Sequence, residues 1–192
     1  MKKILIGTHN SGKFKEIAYL ISKKYKKISP KSLKIKSPKE TGKSFIKNSR
    51  LKVKFFSKFV NYPVVSDDSG LCISVLKNKP GIHSARLAKK QGSFRQAMKF
   101  ILNKMKKKKN RSAVFVCSLS YKKPDGDCIS VEGKIKGKIS SKITGINGFG
   151  YDPIFIPNGK NKTFGQMRKL DKIKMDHRFI AFKKLKKKIK TL

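Results

Sequence analysis

Pro63-Val64-Val65-Ser66-Asp67-Asp68-Ser69-Gly70-Leu71 joins a β-branched run to two adjacent carboxylates, a serine and a glycine, with apolar residues resuming at Leu71, Ile73 and Val75. The pattern predicts a strand that delivers its acids to a turn at its C-terminal end, where ligand sites of open α/β sheets lie. Asp and Glu together number 10 against 50 Lys and Arg in 192 residues. Two acids side by side repel unless a cation sits between or beside them. One reading is a Mg²⁺ site, because Mg²⁺ takes one or two carboxylates and keeps waters and substrate phosphates. The other is a solvated turn, since Asp, Ser and Gly are ordinary turn residues. The stretch alone leaves both open.

A chain of this length predicts one domain, in one or two lobes, with a real core. Hydrophobic residues make up 38% and Trp is missing, so the charged fraction comes from lysine rather than from an acidic or basic tail. The formal charge of +40 predicts attraction to polyanions and some self-repulsion. A nucleic-acid binder concentrates such charge in a patch with interleaved aromatics. Here lysine runs from end to end, which reads as compositional drift and predicts no specific nucleic-acid partner. Cys72, Cys117 and Cys128 are odd in number and widely spaced, against a disulfide framework or a zinc site and in keeping with a reducing cytoplasm. The apolar start Ile4-Leu5-Ile6 ends at Gly7, short of a signal h-region, and no later run approaches membrane-spanning length. No membrane partner is expected.

Outward from the acids, Lys3 to Gly7 reads as a first strand, followed by Thr8-His9-Asn10-Ser11-Gly12-Lys13. Phe14, Ile17, Ala18 and Ile21 recur at helical spacing, so a helix begins near Ser11 or Gly12. A strand, a glycine loop and a helix N-terminus make an anion site. The spacing Gly7-x-x-x-x-Gly12-Lys13 matches a P-loop, but Phe14 stands where Ser or Thr would hold Mg²⁺. A triphosphate gripped here needs its metal held elsewhere, and Asp67 and Asp68 are candidates. Residues 26–36 alternate like an exposed strand or ribbon. Glu40-Thr41-Gly42 precedes a helix whose one face carries Phe45, Ile46, Ser49, Val53, Phe56 and Val60. By composition alone Lys52 is one more solvated lysine on it.

Pro80 to Arg86 reads as a tight turn, and a helix runs from about Ser93 to Lys106. Ala113 to Tyr121 and Cys128 to Ile139 read as strands joined by a Pro124–Asp127 hairpin turn, which makes the sheet mixed. In Asn147-Gly148-Phe149-Gly150-Tyr151-Asp152-Pro153, glycines flank aromatics beside an acid. That suits a flat ring stacked on Phe149 or Tyr151, or a glycine-rich turn with core aromatics. Lys172 to Arg178 leads into a terminal helix with Phe182, Leu185, Ile189 and Leu192 on its apolar face. His177-Arg178 stands out there, because Arg offers a planar donor fork that Lys lacks.

The order Thr8-x-Asn10-x-Gly12-Lys13, Glu40-Thr41-Gly42-x-x-Phe45-x-x-Asn48, Ser66 to Leu71, Pro80 to Arg86, Gly148 to Pro153, Lys172 and His177-Arg178 resembles the inosine/xanthosine triphosphate pyrophosphatase family. The likeness runs from Lys3 to the final helix. It implies an α/β fold: an elongated, twisted mixed β-sheet flanked by helices, one domain over residues 1–192 in two lobes with the active-site cleft between them. It also implies a cytoplasmic homodimer that converts non-canonical purine nucleoside triphosphates (ITP, dITP, XTP) to the monophosphate and pyrophosphate with Mg²⁺. By position, the loop Thr8, His9, Asn10, Ser11, Gly12 and Lys13 would line the triphosphate, and Lys52 would reach in from its helix. Glu40 and Asp68 would serve the metal. Asp68 would be the catalytic base, kept ionised by Mg²⁺ and lysines, with Lys13 and Lys52 offsetting transition-state charge. Ser69 would touch substrate, and Phe149, Gly150, Tyr151, Asp152, Lys172, His177 and Arg178 would form the base pocket, with Arg178 donating to the 6-oxo group. Asn147, Lys47 and Gln166 depart from the family pattern, standing in for a glycine and two acids.

Overall fold

The computed structural model of the chain describes residues 1–189. In order, β1 is Lys2–Ile6, α1 Ser11–Leu20, β2 Tyr25–Ile28, α2 Phe45–Phe56, β3 Val64–Ile73 and β4 Lys79–Pro80. Then come α3 Ser84–Lys90, α4 Phe94–Met105, β5 Ser112–Lys122, β6 Ile129–Ile139, β7 Phe155–Pro157, α5 Lys169–Ile173 and α6 His177–Lys188. The strands form one seven-stranded sheet in the order β2-β1-β3-β5-β6-β7, with β4 paired to β3. β1 runs parallel to β2 and β3, whereas β3–β4 and β6–β7 are antiparallel, so the sheet is mixed.

The chain resolves into two compact units. The first holds residues 1–68, 117–133 and those from Arg178 onward; the second holds 69–116 and 134–177. The boundary falls inside β3, β5 and β6, and the hydrophobic clusters respect it.

In the first unit Ile4, Leu5 and Ile6 are all fully buried, as a strand paired in parallel on both edges and covered on both faces requires. Ile4 and Ile6 pack with Ile17 and Ile21 at α1 and with Ala181, Phe182 and Leu185 of α6. Leu5, on the opposite face, packs with Val64 and with Val53 and Phe56 of α2. Alternation along β1 thus fixes which helices cover which face. In the second unit Leu71 and Ile73 of β3 join Phe115 of β5, Phe155 of β7 and the α4 stripe Ala97, Met98, Ile101 and Met105.

The helices start where their caps dictate. Asn10, Ser44 and Ser93 accept from the backbone N–H of Lys13, Lys47 and Gln96 at the heads of α1, α2 and α4, each satisfying one orphan donor. Val60 lies beyond α2, past a 3-10 turn over Ser57–Phe59. The expected ribbon over 26–36 ends early: β2 stops at Ile28, and Ser29-Pro30 leads into a 3-10 turn over Lys31–Leu33. Proline lacks the N–H that would continue a ladder. The expected turn at Pro80–Arg86 instead opens a helix, α3. Leu192 lies outside the described residues. Among the described residues none of Cys72, Cys117 and Cys128 forms a disulfide.

The largest correction concerns the stretch that opened the reading. β3 continues through Asp67, Asp68, Ser69 and Gly70 without a turn. Asp67 is fully buried and Asp68 only 4% exposed, so the solvated-turn reading falls. Gly70 belongs in the strand because a Cβ there would meet Gly81 O at 2.2 Å and Ser84 Oγ at 2.5 Å. Close backbone approach is the usual reason for a strand glycine.

Candidate active site

The loop after β1 is held tightly. A Cβ on Gly7 would meet Ser66 Oγ at 2.2 Å, so only glycine lets the loop leave β1 beside β3. Thr8 is buried, and its Oγ1 accepts from Asn10 N–H at 3.3 Å. Ser11 and Gly12 form the first turn of α1. His9 turns elsewhere: Nε2 donates to Ile35 O at 2.9 Å and Nδ1 accepts from Ser37 Oγ at 2.6 Å. Both ring nitrogens therefore pin the 35–37 segment.

Lys13 Nζ lies 3.2 Å from Asp67 Oδ2, and Arg178 Nη2 reaches the same oxygen at 3.5 Å. Burial pushes Asp67 up, but Lys13, Arg178 and Lys52 outweigh it and hold the carboxyl well below the usual range. Asp68 has the opposite balance. Burial raises it and the negative charge of Glu40 adds to that, against Lys13, Lys52 and the Asn48 hydrogen bond. Desolvation and a like charge win, and its pKa lies above the ordinary carboxylate value.

Lys52 is no solvated lysine. Its residue is 6% exposed, and Nζ sits 2.9 Å from Glu40 Oε1. Burial works against its charge, yet Asp67, Glu40 and Asp68 together hold its pKa above the usual lysine value. Among the described residues no group of three or more His, Cys, Asp or Glu is spaced to cage a metal. Glu40 and Asp68 nevertheless suit Mg²⁺: they are hard oxygen donors whose charges repel across the site, and Mg²⁺ binds through one or two carboxylates with waters.

Arg178 is paired with this group. It is 1% exposed, and Nη1 donates to Glu16 Oε2 while Nη2 faces Asp67. Glu16 escaped the sequence reading, although a buried acid among so many cations was the available signal. Asn48 closed a quoted motif but was given no role: its side chain accepts from Gly42 N–H at 2.8 Å and donates to Asp68 Oδ2 at 3.0 Å.

In the second unit Asp152 organises the other predicted residues. Its Oδ2 accepts from Phe149 N–H at 2.8 Å and from Lys172 Nζ at 2.7 Å. Gly148, with φ +76°, has no room for a side chain, since a Cβ would meet that oxygen at 2.1 Å. Lys172 Nζ also lies 3.9 Å from Asp176 Oδ2 and 4.8 Å from the Phe149 ring centre. Gly150 has φ +66° and Ser69 is half-buried in β3. His177 is buried with its ring stacked on Phe115, 4.8 Å and 10° apart. Tyr151 is core, not platform: it is 2% exposed, meets Phe94 edge-on and donates its hydroxyl to Ser84 O at 2.9 Å.

The departures from the family pattern have structural work. Gln166 Oε1 accepts from Thr163 N–H at 3.0 Å, and Asn147 Nδ2 donates to Met167 O at 3.0 Å. Lys47 is exposed.

Fold and site together define a mixed-sheet α/β protein with a glycine-bearing strand–loop–helix turn beside buried, lysine-paired carboxylates. The chain belongs to the Ham1 family, whose model matches residues 4–188. It is 38% identical to a dITP/XTP pyrophosphatase of Caulobacter vibrioides, covering 96% of each chain. It is 37% identical to that of Bacillus subtilis, covering 97% of this chain and 96% of the relative. Its fold superposes on the Ham1 protein of Staphylococcus aureus with a TM-score of 0.87, at 34% identity and 98% coverage of both chains.

Proposed function

We propose that this chain is a hydrolase that converts non-canonical purine nucleoside triphosphates (dITP, ITP and XTP) to the monophosphate and pyrophosphate. The observation that carries the proposal is two lysines, Lys13 held 3.2 Å from Asp67 and Lys52 held 2.9 Å from Glu40, whose charges both act on Asp68. Relatives of near-identical length bear the name dITP/XTP pyrophosphatase, which supports the substrate class.

In this reading Thr8, Asn10, Ser11, Gly12 and Lys13 line the triphosphate, at a helix N-terminus that favours anions. His9 helps by fixing the neighbouring 35–37 segment. Lys13 and Lys52 are already oriented by carboxylates, so they offset developing phosphate charge without reorganising. Asp68 takes the proton from the attacking water. Glu40 and Asp68 would hold Mg²⁺, which supplies charge neutralisation at the phosphates when bound.

Phe149, Asp152, Lys172 and His177 are assigned to the purine, with Ser69 as a substrate contact. Asp152 pairs with Lys172 and places Phe149, whose ring stacks without regard to which purine it meets. Arg178 is reassigned to holding Asp67, because its terminal nitrogens are directed at Glu16 and Asp67. The reading includes a homodimer acting on free nucleotides in the cytoplasm. Among the described residues no helix is long and apolar enough to cross a membrane.

A panel of nucleoside triphosphates with Mg²⁺, scored for product, tests the proposal. Pyrophosphate from ITP, dITP and XTP in preference to ATP supports it. Orthophosphate, a pyrimidine preference or no turnover sinks it. Light scattering on the purified chain tests the dimer.

A further inference from the structure

One fully buried polar side chain in the first unit belongs to a residue with no assigned role. Asn48 is 0% exposed. It lies in the second turn of α2, which also carries Lys52. Its Oδ1 accepts from the Gly42 backbone N–H at 2.8 Å and its Nδ2 donates to Asp68 Oδ2 at 3.0 Å. The amide orientation follows from chemistry. A backbone N–H only donates and an ionised carboxylate only accepts, so one orientation alone satisfies both. A side chain that donates at one end and accepts at the other is required, and Asn supplies it at this length.

The two partners matter because of what sits next to them. Gly42 ends the segment Glu40-Thr41-Gly42, and Asp68 is in β3. The Asn48 amide therefore ties the loop bearing one carboxylate to the strand bearing the other. The fit on the loop side is close: a Cβ at Gly42 would lie 2.5 Å from Asn48 Oδ1 and 2.9 Å from Asn48 N. Glu40 itself is 30% exposed in its side chain and anchored through Lys52, so backbone placement of the loop depends on Gly42. Left alone, two carboxylates that repel each other drift apart, and a loop is the part free to drift.

We infer that Asn48 is a positioning residue for a divalent cation: by bridging Gly42 and Asp68 it holds Glu40 and Asp68 at the separation one ion can bind. The inference rests on the proposed metal role of those two carboxylates. Residues that orient metal ligands in this indirect way typically alter affinity by about 10–100-fold when replaced.

The test is direct Mn²⁺ binding to the whole chain, followed by electron paramagnetic resonance of the free ion, with no nucleotide and no turnover. Asn48→Ala is expected to weaken Mn²⁺ binding by about tenfold or more. Gly42→Ala should do the same through the other end of the bridge, and it serves if Asn48→Ala does not fold. Ser49→Ala is the control for a merely structural effect. Ser49 is the adjacent buried residue of α2, and its hydroxyl meets Ser118 and Ser120 Oγ at 2.9 and 2.8 Å. Its replacement should lower the melting temperature and leave Mn²⁺ affinity unchanged. A folded Asn48→Ala that binds Mn²⁺ as tightly as the parent overturns the inference. So does Ser49→Ala weakening it equally, which would mean general loosening of α2. If the parent chain itself binds no Mn²⁺, the metal role of Glu40 and Asp68 falls instead.

Discussion

Two buried charge groups in this chain contain similar residues and behave in opposite ways. Around Asp152 the charges close on themselves: Lys172 is 2% exposed with a carboxylate at 2.7 Å and a second at 3.9 Å, and Asp152 also accepts a backbone N–H. Around Asp68 they do not close. Lys13 and Arg178 are directed at Asp67 and Lys52 at Glu40, while the donor to Asp68 is the neutral amide of Asn48. Desolvation and Glu40 therefore raise Asp68. A carboxylate paired directly with a lysine holds a shape, whereas Asp68, bonded to a neutral amide and raised by Glu40, carries a charge that a cation can relieve. That difference is the reason the reactive chemistry is proposed at Asp68, in a chain with 50 Lys and Arg against 10 Asp and Glu.

Substitutions at the two centres should break this comparison in different observables. Asp68→Asn should cut turnover by about 10²–10⁴, the usual cost of losing a general base, with nucleotide binding changed only a few-fold. Single-turnover kinetics beside equilibrium binding separates the two, and near-normal turnover at saturating Mg²⁺ would remove Asp68 from the mechanism. Asp152→Ala should act on stability, because it removes the nearer of the two buried carboxylates beside Lys172. Breaking a buried pair from one side costs about 3–5 kcal/mol, visible in chemical denaturation. A loss below about 1 kcal/mol, typical of an exposed pair, would mean that Lys172 is solvated after all.

Arg178→Ala sharpens the comparison by asking which group the arginine serves. Placed with Glu16 and Asp67, it should lower ITP and ATP turnover together and leave the ratio of their kcat/KM values near that of the parent. The ratio is unaffected by how much protein folds. A ratio that falls severalfold would return Arg178 to reading the 6-oxo group.

The smallest effect concerns pH. Asp67 is held low, so its contribution to stability is present above the ordinary carboxylate pKa and lost as pH falls through the depressed folded value. Asp68 is raised, so its ionisation penalty is present above the raised folded value and absent below the ordinary one. Asp68→Asn should therefore be more stable than the parent at neutral pH without added metal, with the gain vanishing in acid. Denaturant midpoints across pH measure this, and a gain that persists in acid would trace to something other than charge.

Much of the architecture was legible in the residues because it depends on near neighbours. The β1–loop–α1 unit, the α2 and α4 stripes and the β5–β6 hairpin follow from periodicity, capping residues and turn chemistry within a few positions of each other. The resemblance, too, was carried by short motifs in a fixed order. Local chemistry also misled: Ser66 to Gly70 has the composition of a turn yet runs as strand, because pairing and the close approach of Gly81 to Gly70 override the propensity of Asp and Gly.

What the sequence determined by itself, then, was the order of elements, their amphipathic faces and the family to which the motifs point. Tertiary structure alone decided which charges are buried and against whom. Glu16 and Arg178 are 162 positions apart, and Asp67 and Arg178 are 111 apart; no local pattern predicts either pairing. Composition hid the rest, since Lys52 and Lys172 look like any other lysine in a chain with 50 basic residues. Lysine reads as solvated unless a fold removes its water, and desolvation depends on every chain segment packed around a side chain. Tyr151 shows the same limit from the apolar side: its neighbours suggested a stacking platform, and contact with Phe94 and Ser84 made it core.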